Sequence, residues 1–393
     1  MKMNSPFLLK MKKIGIDARF VTRAPRRGIG NYSIHLLNEM IDLASDYIFY
    51  LYISQEDSDA ILPTSSNVIV RQLSMPGYPL WEQIALPRAI VADQVDLLHC
   101  LGNTGPIFRS GSVKCRQVLS LHDVMFLEAG QYIPRPTNSY QALGRLYRKF
   151  IAPRYAKQCD KIITVSNYSK LDILKWIPEL EASQIVVTEQ SCDPIFKVFV
   201  SELTSRPRPS GRPYIFALGA EDPRKNTMRL VQAYLSLLRE DDSNDLVICG
   251  YQNWESGPEW RAVQAAGAQS RVHFLSFVPK GELIELYRNA SFFIYPSLYE
   301  GFGIPLLEAF SVGCPVITSN VTSMPEVAGD AALYVDPYDI ISMSRAMLTL
   351  LKDVELREAY RCAGERRADM FSWSHTAEKT LAVYEKCFKE KAG

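Results

Sequence analysis

At 393 residues, 47% hydrophobic and 22% charged, the chain has enough apolar material for two α/β domains rather than one. A formal net charge of +1 supplies no global field toward nucleic acid, so nucleic acid is not an expected partner and any anionic ligand has to be met by a local patch. The eight cysteines (100, 115, 159, 192, 249, 314, 362, 387) form no C-x-x-C pair or zinc-spaced cluster, the opening MKMNSPFLLKMKK has an apolar stretch of only four residues, and nowhere do 18 apolar residues run together; reduced thiols, a cytoplasmic location and no membrane span are expected.

In chain order, the first half shows short β-rich runs at 13–17 (KIGID), 48–54 (IFYLYIS), 95–100 (VDLLHC), 118–123 (VLSLHD), 161–166 (KIITVS) and 185–190 (IVVTEQ), with helical patterns between several of them. The second half repeats the theme at 214–219 (YIFALG), 246–250 (LVICG), 272–278 (VHFLSFV), 292–297 (FFIYPS), 315–319 (PVITS) and 332–336 (ALYVD). Runs without polar alternation suit strands covered on both faces, so each half is expected to be α/β, a doubly wound parallel sheet. Residues 199–213 (FVSELTSRPRPSGRP), with three prolines, three serines and a glycine, read as a linker, with the boundary near 205.

Ligands of open parallel sheets bind beyond the strands' carboxyl ends, where the strand order reverses. That rule selects Asp17, His99, His122, Asp123 and Ser166 in the first half, and Gly219, Lys225, Gly250, Val278 and Glu300 in the second. Two such sheets facing each other put the site in the cleft between them.

The stretch 295–318 (YPSLYEGFGIPLLEAFSVGCPVIT) carries the strongest chemistry. Glu300 follows a strand, Gly301 and Gly303 strip the turn of side chains, Pro305 suits a first helical turn and Gly313 suits its end. A helix start bared in this way leaves free N–H groups and a positive dipole end, which suits a phosphate. Glu300 and Glu308 are then placed to accept hydrogen bonds from neutral hydroxyls, so a sugar, a diphosphate and a ribose satisfy all three features. A glycoside hydrolase or phosphorylase is the enzymatic alternative; a glycosidase acid and base pair needs its carboxyls ~5–10 Å apart, but it leaves the anion cradle unexplained.

These residues, continued through NVTSMPEVAGDAALYVDP, resemble the E-x7-E signature of the GT-B retaining glycosyltransferases of family 4 (group 1). The first half resembles the same family more loosely through GIDARF, RGIGNYSIHLL, LHDVMF and VSNYSKLDI. The resemblance implies a domain of residues 1–200 on the acceptor side, a nucleotide-sugar-binding domain of 201–372, and a final helix, 373–393, crossing back to the first. It also implies that Glu300 contacts donor-sugar hydroxyls, that amides of Gly301, Phe302, Gly303 and Ile304 hold the diphosphate, and that Glu308 binds the ribose. Lys225 matches the family's phosphate-binding lysine, whereas the arginine five residues earlier in many members is Ala220 here, with Arg224 as a substitute. Gly28 and Gly30 are expected to approach the diphosphate, Val278 to line the donor site and His122 to face the donor sugar. The spacing from Asp17 to Gly28 is too long for a dinucleotide-binding turn, so that reading of G-x-G-x-x-S is rejected.

His99, Arg148 and Lys149 are assigned to the acceptor side. The segment 145–161 (RLYRKFIAPRYAKQCDK) holds six basic residues and one acid, which suits an anionic membrane surface, a lipid diphosphate acceptor or a plain solvated helix face. Asp57-Ser58-Asp59 follows a strand as a metal-binding D-x-D would, yet QEDSDA reads as an exposed turn and no metal is expected to be required. The expected activity is retaining transfer of a hexose, UDP-glucose favoured and GDP-mannose next, to a saccharide or lipid-linked acceptor. A non-catalytic sugar-binding module is the alternative from outside enzymology.

Overall fold

The computed structural model describes residues 11–21, 28–54, 62–107, 115–128, 132, 139–198 and 211–390. The boundary expected near 205 and the Asp57–Asp59 triplet lie outside the described residues.

The first sheet is built from β1 (Lys12–Asp17), β2 (Tyr47–Ser54), β3 (Val68–Leu73), β4 (Leu97–Cys100), β5 (Arg116–Ser120), β6 (Lys161–Thr164) and β7 (Ile185–Val187). The second contains β8 (Tyr214–Leu218), β9 (Asp245–Cys249), β10 (Val272–Leu275), β11 (Phe292–Tyr295), β12 (Val316–Ser319) and β13 (Ala332–Val335). All pairings are parallel, in the orders β3-β2-β1-β4-β5-β6-β7 and β10-β9-β8-β11-β12-β13. The apolar runs explain this directly: Ile14, Ile16, Leu97, Leu98 and Phe292–Ile294 are fully buried, as strands covered on both faces require.

Each sheet reverses its order once, between β1 and β4 and between β8 and β11, so a crevice opens at each of these points. The helices that matter for the site are α1 (Ile29–Leu43), α2 (Ser139–Ala156), α3 (Asn167–Trp176), α4 (Thr227–Leu237), α5 (Ile304–Ser311), α6 (Val354–Asp369) and α7 (Trp373–Lys389).

Two features depart from the sequence-based expectation. Strand β3 (VIVRQL) was not among the expected runs; it is an edge strand with no fully buried side chain, Val70, Arg71 and Gln72 being exposed and Val68, Ile69 and Leu73 half-buried, so burial imposes only a partial apolar pattern on it. His99 does not line a cleft: it is fully buried, with Nδ1 2.7 Å from the Tyr384 hydroxyl of α7 and Nε2 2.8 Å from Ser120 Oγ. Burial lowers its pKa to about 3, so it is a neutral core residue joining β4 to the last helix. Helix α7 lies against α1, and Trp373 donates Nε1–H to the Cys192 carbonyl at 2.9 Å. Among the described residues no helix is long and apolar enough to cross a membrane, and the eight cysteines are free thiols.

Tyr384→Phe removes the partner of a buried imidazole nitrogen. It is expected to cost about 1–3 kcal/mol, read as a lower urea midpoint at unchanged slope; an unshifted midpoint contradicts the His99 assignment.

Candidate active site

Strands β8 and β11 are neighbours, with Ala217 opposite Ile294, so the loops leaving their carboxyl ends meet. The β8 loop turns through a short 3-10 segment, Pro223–Lys225, capped by Asp222 and ended by Asn226 at φ 59°. It is sewn to the β11 loop at three points and to the segment after β13 at a fourth. Leu298 N donates to the Arg224 carbonyl at 2.7 Å and Ser297 Oγ to the same oxygen at 3.0 Å. Asn226 Nδ2 donates to the carbonyls of Pro296 at 3.1 Å and Pro337 at 2.6 Å.

This stitching brings together Arg224, Lys225 and Glu300. Glu300 Oε2 accepts Arg224 Nη1 at 2.7 Å; Oε1 accepts Lys225 Nζ at 2.8 Å, the Tyr295 hydroxyl at 2.6 Å and Ser297 Oγ at 3.0 Å. Burial works to raise the Glu300 pKa, but the two cations outweigh it and hold the carboxyl at about 2. Burial lowers the Lys225 pKa despite the pull of Glu300, and Lys225 also hydrogen-bonds the Tyr295 hydroxyl. Arg224 takes Asp222 as a second partner, Nε to Oδ2 at 2.7 Å. At the position of the family's arginine, Ala220 only pairs its backbone with Thr227 Oγ1, and Arg224 occupies the ion cluster.

Immediately after Glu300, the turn enters α5. Gly303 takes φ 113°, a left-handed geometry open to glycine, no side chain caps the helix start, and no acid lies in its first turn. Ser323 Oγ pins the turn by donating to the carbonyls of Glu300 at 2.9 Å and Phe302 at 2.7 Å. The backbone of Gly301 to Ile304 therefore leads into an uncapped helix start beside two cations. Phe302 is buried against Phe371, ring centroids 5.8 Å apart, and Ile304 is half-buried.

Glu308 sits one turn into α5 in a different environment. It accepts a hydrogen bond from the Tyr287 hydroxyl at 3.1 Å, and burial pushes its pKa up to about 7. Val278 is half-buried in the loop that follows β10.

The first domain meets this site through His122. Its Nε2 lies 3.0 Å from the Leu101 carbonyl, its backbone N–H donates to Asn103 Oδ1 at 2.8 Å, and Tyr32 of α1 packs edge-on with centroids 4.5 Å apart. Burial lowers its pKa to about 4, so the ring is neutral; the carbonyl fixes the proton on Nε2 and leaves Nδ1 as an acceptor. Gly28 is the N-cap of α1, without a side-chain cap, and Gly30 is buried in its first turn. Asp123, selected by strand-end position alone, has its pKa raised by burial against the opposing pull of Arg224, and Glu300 adds to the rise. Arg148 also acts on Asp123 and stands 5.7 Å from the Phe126 ring centroid; Arg148 and Lys149 are both exposed on α2.

The residues that sequence reasoning missed are Tyr295, Ser297 and Ser323. They look like core aromatic and loop serines in the sequence, and only the fold turns their hydroxyls onto Glu300 and its turn. Among the described residues no group of three or more His, Cys, Asp or Glu side chains is placed to hold a metal ion.

Glu308 gives a pH signature. Its pKa rises from 4.5 in the unfolded reference to about 7 on folding, so the native state holds a proton that the unfolded chain releases. Its contribution to stability is full below about 4.5 and fades as pH rises through about 7, a change on the order of 3 kcal/mol. Glu308→Gln is expected to flatten this dependence in chemical denaturation; parallel wild-type and variant curves contradict it.

The chain matches the family model described as glycosyl transferases group 1 over residues 202–367. It is 33% identical over 274 residues to O-antigen chain mannosyltransferase B of Escherichia coli, an alignment covering 68% of this chain and 70% of that protein. Serotype-specific mannosyltransferase WbdA of Escherichia coli is 32% identical over 372 residues; the match covers 90% of this chain but 43% of WbdA, so the chain spans less than half of that relative. Among solved structures, sucrose-phosphate synthase of Thermosynechococcus elongatus superposes with a TM-score of 0.69 at 17% identity, covering 96% of this chain and 99% of the other, a likeness of fold alone. With two parallel α/β domains and a relative of this closeness, the chain is a glycosyltransferase of the GT-B fold and belongs to the group 1 family.

Proposed function

We propose that the enzyme transfers mannose from GDP-mannose, with retention of configuration and without a required metal, to a saccharide or lipid-linked acceptor in surface polysaccharide assembly. The observation that carries the reading is Glu300 clamped by Arg224 and Lys225 beside the uncapped start of α5. Both curated relatives above are mannosyltransferases, one of them acting on an O-antigen chain, which moves the preferred donor from UDP-glucose to GDP-mannose.

In this reading the amides of Phe302, Gly303 and Ile304 and the cations Arg224 and Lys225 receive the diphosphate, with Gly28 and Gly30 approaching from the first domain. Lys225 offsets charge as the phosphate departs, while Glu300 and the Nδ1 acceptor of His122 orient sugar hydroxyls. Glu308 accepts from the ribose diol, and Val278 lines the donor site. The departing phosphate takes the acceptor's proton in a front-face substitution, and the protein contributes position and charge stabilisation.

The acceptor side falls to α2. Leu143, Leu146 and Phe150 are 62%, 65% and 48% exposed, and their spacing of three and four residues puts them on one helix face. Arg148 and Lys149 are exposed on the same helix, and Arg154 lies 3.5 Å over the Phe150 ring. Apolar side chains standing in solvent among cations suit the interface of an anionic bilayer, at the cytoplasmic face where lipid-linked acceptors would be met.

Two experiments test this. Donor hydrolysis and thermal shift across GDP-mannose, UDP-glucose and an ADP-sugar are expected to favour GDP-mannose and to be insensitive to chelator. Lys225→Ala is expected to lower kcat about 10²–10³-fold and to weaken GDP binding. Glu300→Ala is expected to abolish turnover yet keep GDP affinity, because it frees two cations for the diphosphate; matching losses of turnover and affinity contradict the role of Glu300. Separately, flotation with vesicles containing anionic lipid is expected to recover the wild type but not Leu143→Asp/Leu146→Asp, and equal recovery on zwitterionic vesicles contradicts the electrostatic part.

A further inference from the structure

The two domains also touch away from the ion cluster, and the contacts converge on the turn that follows Glu300. The Gly301 carbonyl accepts Ser166 Oγ at 2.6 Å and Ser169 Oγ at 2.9 Å, both from the first domain. Ser166 is the N-cap of α3 and itself accepts Ser169 N. Glu326, in the short helix Met324–Ala328 of the second domain, reaches the same end of α3: Oε1 accepts Asn167 N at 2.8 Å and Asn167 Nδ2 at 2.9 Å, and Oε2 accepts Tyr168 N at 3.1 Å. The first amides of α3, which no carbonyl within the helix can satisfy, are thus met by a carboxylate of the other domain, at the positive end of the helix dipole. Beside it, the Tyr299 hydroxyl donates to Asp172 Oδ2 at 2.6 Å.

The acid is anchored in its own domain and tied to the turn. Arg367 donates to the carbonyls of Glu326 at 2.6 Å and Val327 at 2.8 Å. Ser323, three residues earlier, pins the carbonyls of Glu300 and Phe302. Gly301 is in contact with the first domain: a Cβ there would stand 2.9 Å from the His122 carbonyl oxygen and 3.1 Å from Asp123 Cβ, so any side chain holds the domains apart. Glu326 remains partly exposed, so water can replace both its bonds and those of α3 when the domains part, which makes the contact reversible.

We propose that Glu326 is a positioning residue that latches α3 onto the turn carrying Glu300, so that His122 and Asp123 meet the donor only when the domains are closed. The inference rests on the reading of that turn as the donor grip. It does not require Glu326 to touch the donor.

Glu326→Ala and Glu326→Gln are compared with the wild type by small-angle X-ray scattering without ligand, by GDP calorimetry and by GDP-mannose hydrolysis. Glu326→Ala is expected to expand the ligand-free protein and to lower kcat about tenfold, the worth of one charge-assisted hydrogen bond, with GDP affinity unchanged. Glu326→Gln, which keeps an acceptor for the α3 amides, is expected to recover most of kcat and the compact scattering. A Glu326→Ala protein as compact and as active as the wild type overturns the latch, and so does a GDP affinity that falls in step with kcat, because that places Glu326 in the nucleotide site. If GDP and UDP fail to bind the wild type, the reading of the grip falls, while the ligand-free scattering still decides the latch: a variant as compact as the wild type overturns it.

Discussion

The candidate site depends on one partly buried ion cluster, in which Glu300 stays charged because Arg224 and Lys225 stay with it. Drawing three ionised side chains largely out of water is costly, and removing one partner leaves the others under-compensated. The surrounding loops are arranged to keep the group complete. Asn226 and Ser297 hold the cation loop against the glutamate loop, and the Tyr295 and Ser297 hydroxyls donate to the Glu300 oxygen that also meets Lys225. Two countercharges are thereby held in place beside the uncapped start of α5.

The two glutamates of one short helix region show how environment divides identical chemistry. Glu300, between two cations, is held at about 2; Glu308, eight residues on and facing a tyrosine hydroxyl, is pushed by burial to about 7. One is a permanent acceptor whose orientation is fixed by four side chains. The other changes its charge near neutrality.

Much of this was legible in the sequence because it is local. Glycine, proline and acid at fixed offsets in 300–308 dictate a bared helix start, and apolar runs without polar alternation dictate covered parallel strands. What was not legible comes from residues that meet only in the fold. His99 reads as a strand-end cleft residue until Tyr384, 285 positions away, closes over it. The partner of Glu326 lies 159 residues earlier, at an amide that carries no side-chain signature. Strand β3 escaped because an edge strand that is only half-buried carries a broken apolar pattern, here interrupted by Arg71 and Gln72. Tyr295 shows the same gap at short range, since its position in a buried strand says nothing of where its hydroxyl ends.

The most direct test of the account is a crystal structure of the chain soaked with GDP. The distal phosphate is expected about 3 Å from Lys225 Nζ and from the amides that open α5, with Glu300 still ion-paired and clear of the phosphate oxygens. A diphosphate bound elsewhere, with the start of α5 bare or filled by a side chain of its own domain, would contradict it.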